Sequence, residues 1–216
     1  MIILGITTGL SDSAAALVKD GAIIAAAQQE RFSRVKFDAG FPHDAVAACL
    51  RYASISITAV DCVAVCLPPD SSLPANRLSE LCGVPSAKLV KVSLSQAHAA
   101  AAFLPSPFRD AAIIVFDASR PGTPSLIAAG HDSSISPVRQ IPFPYSPGLL
   151  YSACTAYCGF KAWSGEYKLM GLAPYGSPRF TGLFYDSLIS WHPDGYPVLN
   201  PDFFDFSAGI PLFTPE

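Results

Sequence analysis

Asp12 and Asp117 are carboxylates in loops beside two short apolar runs, Ile2–Thr7 and Ala111–Phe116. A carboxylate so placed can touch a phosphate-bound metal or take a proton, and it can equally cap loop backbone N–H groups. His98 follows Ser95, which reads as the N-cap of an alanine-rich helix. The positive end of a helix dipole favours a neutral imidazole, which suits a metal ligand, an acceptor or a hydrogen-bonded structural histidine. Arg34 and Lys36 beside a turn can grip a phosphate or stand as solvated charge, and Lys168 in the block Gly165–Gly176 can face a cleft or serve packing. His43, His131 and His192 match no site pattern. The sequence has no GxxxxGK[ST], no GxSxG, no GxGxxG after a strand and no HExxH, so nucleotide-kinase and hydrolase readings have no specific support.

The elements that must position these residues follow from pattern. Ile2–Thr7 reads as a buried strand running into a Thr-Thr-Gly loop. Ser13–Val18 and Ala22–Gln28 flank Asp20-Gly21, which predicts a type I′ hairpin. Pro42 opens a helix with Val46, Cys49, Leu50 and Ala53 at helical spacing. Asp61–Leu67 and Lys88–Val92 read as strands with a helix around Asn76–Cys82 between them, and the alanine-rich helix ends near Pro105. The pattern then restarts: Ala111–Phe116 is a strand with Ser125–Gly130 and Ser136–Ile141 as hairpin partners. A helix runs from Ser146-Pro147 to Gly159, with Leu150, Cys154, Tyr157 and Cys158 predicted on its inner face. Beyond Gly176 come turn signals and an aromatic cluster, Phe203, Phe204 and Phe206. The repeat predicts an α/β protein of the ribonuclease-H-like, sugar kinase/actin type. Residues 1–108 form a complete mixed-sheet lobe and 109–216 the first half of a second.

Composition narrows the class. The 216 residues are 50% hydrophobic and 14% charged, with a formal net charge of −3. This excludes disorder over most of the chain, and without a Lys/Arg run it argues against a nucleic-acid partner. No apolar stretch approaches the ~20 residues of a spanning helix, so no membrane association is expected. The first segment has no basic n-region and reads as a mature strand. Six cysteines without a CxxC pair suggest buried thiols in a cytoplasmic protein.

Asp12-Ser13-Ala14-Ala15-Ala16-Leu17, Gln29-Glu30-Arg31-Phe32-Ser33-Arg34-Val35-Lys36 and Phe41-Pro42 resemble the opening of the O-carbamoyltransferases of nodulation-factor and antibiotic biosynthesis. Gly148-Leu149-Leu150-Tyr151 and the long block Gly165-Glu166-Tyr167-Lys168-Leu169-Met170-Gly171-Leu172-Ala173-Pro174-Tyr175-Gly176 carry the same resemblance. It runs from Ile2 to about Phe213 and covers only the first part of a family member, whose full length completes the second lobe and adds a YrdC-like domain. The resemblance implies carbamoyladenylate, made from carbamoyl phosphate and ATP in the YrdC-like domain. It also implies carbamoyl transfer to a small-molecule hydroxyl in the two-lobed domain, with a divalent metal held partly by two histidines one helical turn apart. In those terms Asp12 and Asp117 are the catalytic candidates, and Arg34, Lys36 and Lys168 bind the donor. His98 is the metal ligand.

The departures matter as much. Leu94-Ser95-Gln96-Ala97-His98-Ala99 stands where the family has His-His-x-Ala-His-Ala, so His98 has Leu94 as its i−4 neighbour. Ser11-Asp12 replaces His-Asp, Phe37 replaces a histidine, and Asp117-Ala118-Ser119 loses a glycine. Leucine and phenylalanine neither ligate a metal nor carry a proton. Two readings stay open: a shortened or split carbamoyltransferase, or a non-catalytic homologue (a pseudoenzyme) that docks on a biosynthetic enzyme. No cofactor is expected on the isolated chain. The expected partners are a hydroxyl acceptor or a larger carbamoyltransferase, in a homodimer or hetero-oligomer.

Overall fold

A computed structural model describes residues 1–117 and 122–205. The chain divides into two compact units, 1–97 and 98–216.

The first unit is built on a five-stranded mixed sheet. Its strands are β1 (Ile2–Thr7), β2 (Ala14–Lys19), β3 (Ala22–Gln28), β4 (Cys62–Cys66) and β5 (Leu89–Val92), in the order β3-β2-β1-β4-β5. The β2–β3 hairpin turns at Asp20 (φ 50°) and Gly21 (φ 81°), the positive pair a type I′ turn needs. β4 lies parallel to β1, and β5 parallel to β4. Helices α1 (Glu30–Ser33), α2 (His43–Ala53) and α3 (Ala75–Cys82) complete the unit. Leu4, Leu17, Val63 and Val65 are buried with Ala45 and Cys49 of α2 and Leu78 of α3, each leucine contributing about 1.5–3 kcal/mol. Pro42 gives α2 no side-chain cap. Gln29 does so from a distance: its Oε1 accepts from the N–H groups of Asp44 (3.1 Å) and Ala45 (3.2 Å), and its Nε2 donates to Asp44 (2.8 Å).

The helix α4 (Leu94–Phe103) is capped two residues earlier than its sequence suggests. Ser93 Oγ accepts from Gln96 N–H, and Gln96 Oε1 accepts from Ser93 N–H, both at 3.3 Å. This is a capping box, and it leaves Ser95 buried inside the first turn. His98 therefore lies in the second turn, where the helix dipole acts weakly.

The second unit holds β6 (Asp110–Val115), β7 (Ser125–His131) and β8 (Ser134–Ile141) as an antiparallel sheet in that order. Ala99 and Phe103 cover one face, against Ile113, Val115, Leu126 and Ala128. The Phe103 ring lies 2.5 Å from where a Cβ on Gly130 would be, so only glycine fits there. Next come α5 (Pro147–Tyr157), α6 (Glu166–Leu172) and a hairpin of β9 (Ile189–Trp191) and β10 (Pro197–Leu199). Ser146 Oγ caps α5 through Gly148 N–H, and Gly159 follows its end at φ 81°.

The inner face of α5 differs from the expected one. Leu149, Ser152 and Ala153 are buried, whereas Tyr157 is 81% exposed and Cys158 lies on the surface. Packing of Ala153 against Leu199 and Phe204 sets the buried stripe one residue back from Leu150 and Cys154, which keep only partial burial. Phe204 packs with Ala153 and Leu199, Phe203 is largely exposed, and Phe206 lies outside the described residues. No helix among the described residues is long and apolar enough to cross a membrane.

Candidate functional site

Asp117 leaves β6 two residues after Val115, with its N–H donated to buried Ser125 Oγ at 2.9 Å. It lines a cavity of about 350 Å³. Phe116, Tyr151 and Trp163 supply ring surface, Gly148 brings the first turn of α5, and Ser152 and Glu166 complete a polar wall. The cavity thus combines a half-buried carboxylate, helix-terminal N–H groups and aromatic faces. That combination suits a polar small molecule with hydroxyl and ring surfaces.

Glu166 is fixed rather than mobile. Its Oε1 accepts from Ser152 Oγ at 2.8 Å and from Trp163 N–H at 2.7 Å. Burial works against its ionisation, but the N–H groups at the start of α6 and the Ser152 hydroxyl outweigh that, so the carboxyl stays below its ordinary pKa. Trp163 takes the left-handed conformation (φ 67°), a cost offset by this bond. Gly165 is required beside it, because a Cβ there would meet Lys161 O at 2.6 Å.

The other candidates are dispersed. Asp12 (φ 64°) is half-buried two residues before β2, so it and Asp117 occupy opposite ends of corresponding loops. Around Asp12, Gly9 N–H donates to Ala39 O and Ser13 N–H to Asp38 O, both at 2.9 Å, which lays the Arg34–Gly40 loop against the Asp12 loop. Arg34 and Lys36 are exposed there, with the Lys36 ammonium 4.8 Å from the Phe37 ring centroid. Lys168 is exposed on α6, its ammonium 6.0 Å from the Tyr167 ring centroid, and it does not line the cavity that Glu166 lines. His98 is exposed on α4. Burial pushes the Cys82 thiol up to about 11 and moves Cys49 and Cys154 the same way, so these cysteines stay protonated and serve packing.

A family model described as Carbamoyltransferase N-terminus matches residues 2–71 and 78–212. The chain belongs to this family. An uncharacterized protein of Synechocystis is 38% identical over 97% of this chain and 40% of its own length. Nodulation protein NolNO of Sinorhizobium fredii is 31% identical over 82% of the chain and 32% of its own. The chain therefore spans less than half the length of these relatives. In fold it is similar to a ROK hexokinase from Thermus thermophilus, with TM-score 0.52 at 12% identity over 85% of this chain and 72% of that one. This agrees with the ribonuclease-H-like, sugar kinase/actin-type α/β class.

The metal that the family resemblance implies does not fit the donors present. Leu94, one turn before His98, offers no ligating atom, and among the described residues no group of three His, Cys, Asp or Glu side chains gathers. The residues that sequence reasoning missed are Ser152, Trp163 and Glu166. An acid set directly after an obligatory glycine in the block Gly165–Gly176 was the available signal for Glu166.

Proposed function

We propose that this carbamoyltransferase-family chain contributes the acceptor side of carbamoyl transfer from carbamoyladenylate to a small-molecule hydroxyl in secondary-metabolite synthesis. The observation that carries this reading is Asp117 in a ring-walled cavity whose second carboxylate, Glu166, is already held by Ser152 and Trp163. Asp117 takes the hydroxyl proton as the acceptor oxygen bonds to the carbamoyl carbon. The bond from that carbon to the adenylate oxygen breaks, and AMP leaves with the electron pair. Glu166, satisfied by its own donors, shapes the wall and keeps Trp163 in place. Polypeptide outside this chain makes the donor.

One observation favours a second reading, a non-catalytic partner of a larger carbamoyltransferase: Leu94 and an exposed His98 stand where the family pairs histidines. The test combines the chain with the separately produced remainder of the Synechocystis relative, carbamoyl phosphate, ATP and a panel of polyhydroxylated acceptors. Carbamate product seen by mass spectrometry, and reduced about 100-fold by Asp117→Asn, supports the transferase reading. No product from an assembled complex favours the second.

A further inference from the structure

The loop between β4 and α3, from Leu67 to Pro74, is stiffened by Pro68, Pro69 and Pro74, each of which fixes its own φ. Ser71 N–H donates to Pro68 O at 3.0 Å, and Ser71 Oγ accepts from Leu73 N–H at 3.4 Å, so the loop is a built turn. The loop that follows β1 lies against it. Thr8 N–H donates to Cys66 O at 3.2 Å. Gly9 (φ 75°) comes so close that a Cβ there would sit 3.1 Å from Pro68 Cδ. β1 and β4 are parallel, so both loops leave the same, carboxyl end of the sheet. Ligands of open α/β sheets bind in the crevice outside that end.

Between the two loops lies a crevice of about 470 Å³, lined only by first-unit residues and separate from the Asp117 cavity. Thr8 lines it, is only 5% exposed, and has no partner for its hydroxyl among the described residues. A buried hydroxyl left unpaired is costly, and a ligand hydroxyl in the crevice relieves that cost. At the rim stand Asp70 and Ser72, both exposed and neither bonded to another described side chain. Leu67, Leu73 and Pro68 supply aliphatic surface. No aromatic ring, lysine or arginine lines the space; Lys91 reaches the loop at Leu73 O (3.5 Å) without lining the crevice. These walls select by exclusion. An anion meets Asp70 with no lining cation to offset it, and a flat aromatic ligand finds no ring to stack on. A purely apolar ligand leaves Thr8 unpaired.

We propose that this crevice binds a compact aliphatic polyol carrying an ammonium group, an amino alcohol or amino sugar. A ligand hydroxyl bonds the Thr8 hydroxyl inside, and the ammonium faces the Asp70 carboxylate at the rim. The C–H faces of the ligand lie on Leu67, Leu73 and Pro68. The volume is that of an ordinary small-molecule site, and the proline-stiffened loop leaves little to order on binding. This site rests on the first unit alone, and on neither Asp117 nor the transfer reaction.

Titration of the full chain followed by NMR tests it, with glucosamine, glucose and glucose 6-phosphate as probes that share a ring and differ in charge. The expected result is saturable binding of glucosamine, binding of glucose about three-fold weaker, and none of glucose 6-phosphate. Thr8→Val keeps the shape, loses the hydroxyl and weakens glucosamine binding about ten-fold. Asp70→Asn removes the preference for glucosamine over glucose. Ser72→Phe, at an exposed position, fills the crevice and abolishes binding even should Thr8→Val fold badly. The proposal is overturned by any of three results. They are no saturable binding of glucosamine, glucose or glucose 6-phosphate bound as tightly as glucosamine, and binding unaltered by Thr8→Val and Ser72→Phe. Binding lost in Asp117→Asn and kept in Thr8→Val assigns the probe to the other cavity and overturns it too. Glucosamine binding by the chain, with no carbamate formed by the assembled complex, sinks the transferase reading and leaves this site intact.

Discussion

Ser152 Oγ donates a 2.8 Å hydrogen bond to Glu166 Oε1, tying the middle of α5 to the first turn of α6. The same oxygen accepts the Trp163 N–H, so one carboxylate fixes a helix pair and a wall of the cavity.

Replacing Glu166 by Gln keeps the shape and removes the charge. Hydrogen bonds to a charged acceptor contribute about 1.5–3 kcal/mol each, so the variant should lose about 1–3 kcal/mol in a urea titration at neutral pH. Because the folded carboxyl has a depressed pKa, its contribution is complete above the unfolded value of about 4.3. That contribution disappears as pH falls through the lower folded value. The wild-type advantage over Glu166→Gln should therefore shrink below about pH 4.3. An advantage constant down to acid pH would show that the charge is not what stabilises the pair.

Two glycines in one motif should respond oppositely to alanine. At Gly165 the new Cβ meets Lys161 O at 2.6 Å and Phe160 Cβ at 3.0 Å, so Gly165→Ala should cost about 1–3 kcal/mol. Gly171, inside α6, has nothing within 4 Å, and Gly171→Ala should gain about 0.5–1 kcal/mol from helix propensity. Thermal melts of the two variants check both signs.

Leu94→His restores two imidazoles four residues apart on one face of α4. Zinc or iron affinity, read by titration, should rise at least about ten-fold over wild type and fall back when His98→Ala is added. Equal affinity in wild type and Leu94→His would mean that this helix face does not serve as a metal site.

Local signals were legible in the sequence, and distant partnerships were not. Asp20-Gly21 fixed its hairpin because both residues must take positive φ, and Ser146-Pro147 set the start of α5. Ser95 was a plausible cap, but the Ser-x-x-Gln box of Ser93 and Gln96 satisfies two backbone groups where Ser95 alone satisfies one. The face of α5 depended on a contact with Phe204 and Leu199, about fifty residues on, which no helical period reveals. Glu166 escaped notice for a similar reason, since Ser152 reaches it from another helix. The opposite placement of Asp12 and Asp117 in corresponding loops rests on where the strands end, the least readable feature of a pattern.

The kcat/KM of carbamate formation, measured on the chain assembled with the remainder of its Synechocystis relative, tests the central claim most directly. If Asp117 takes the acceptor proton, Asp117→Asn should lower kcat/KM about 100-fold, and Glu166→Gln should lower it far less. An Asp117→Asn value equal to that of wild type would contradict the account.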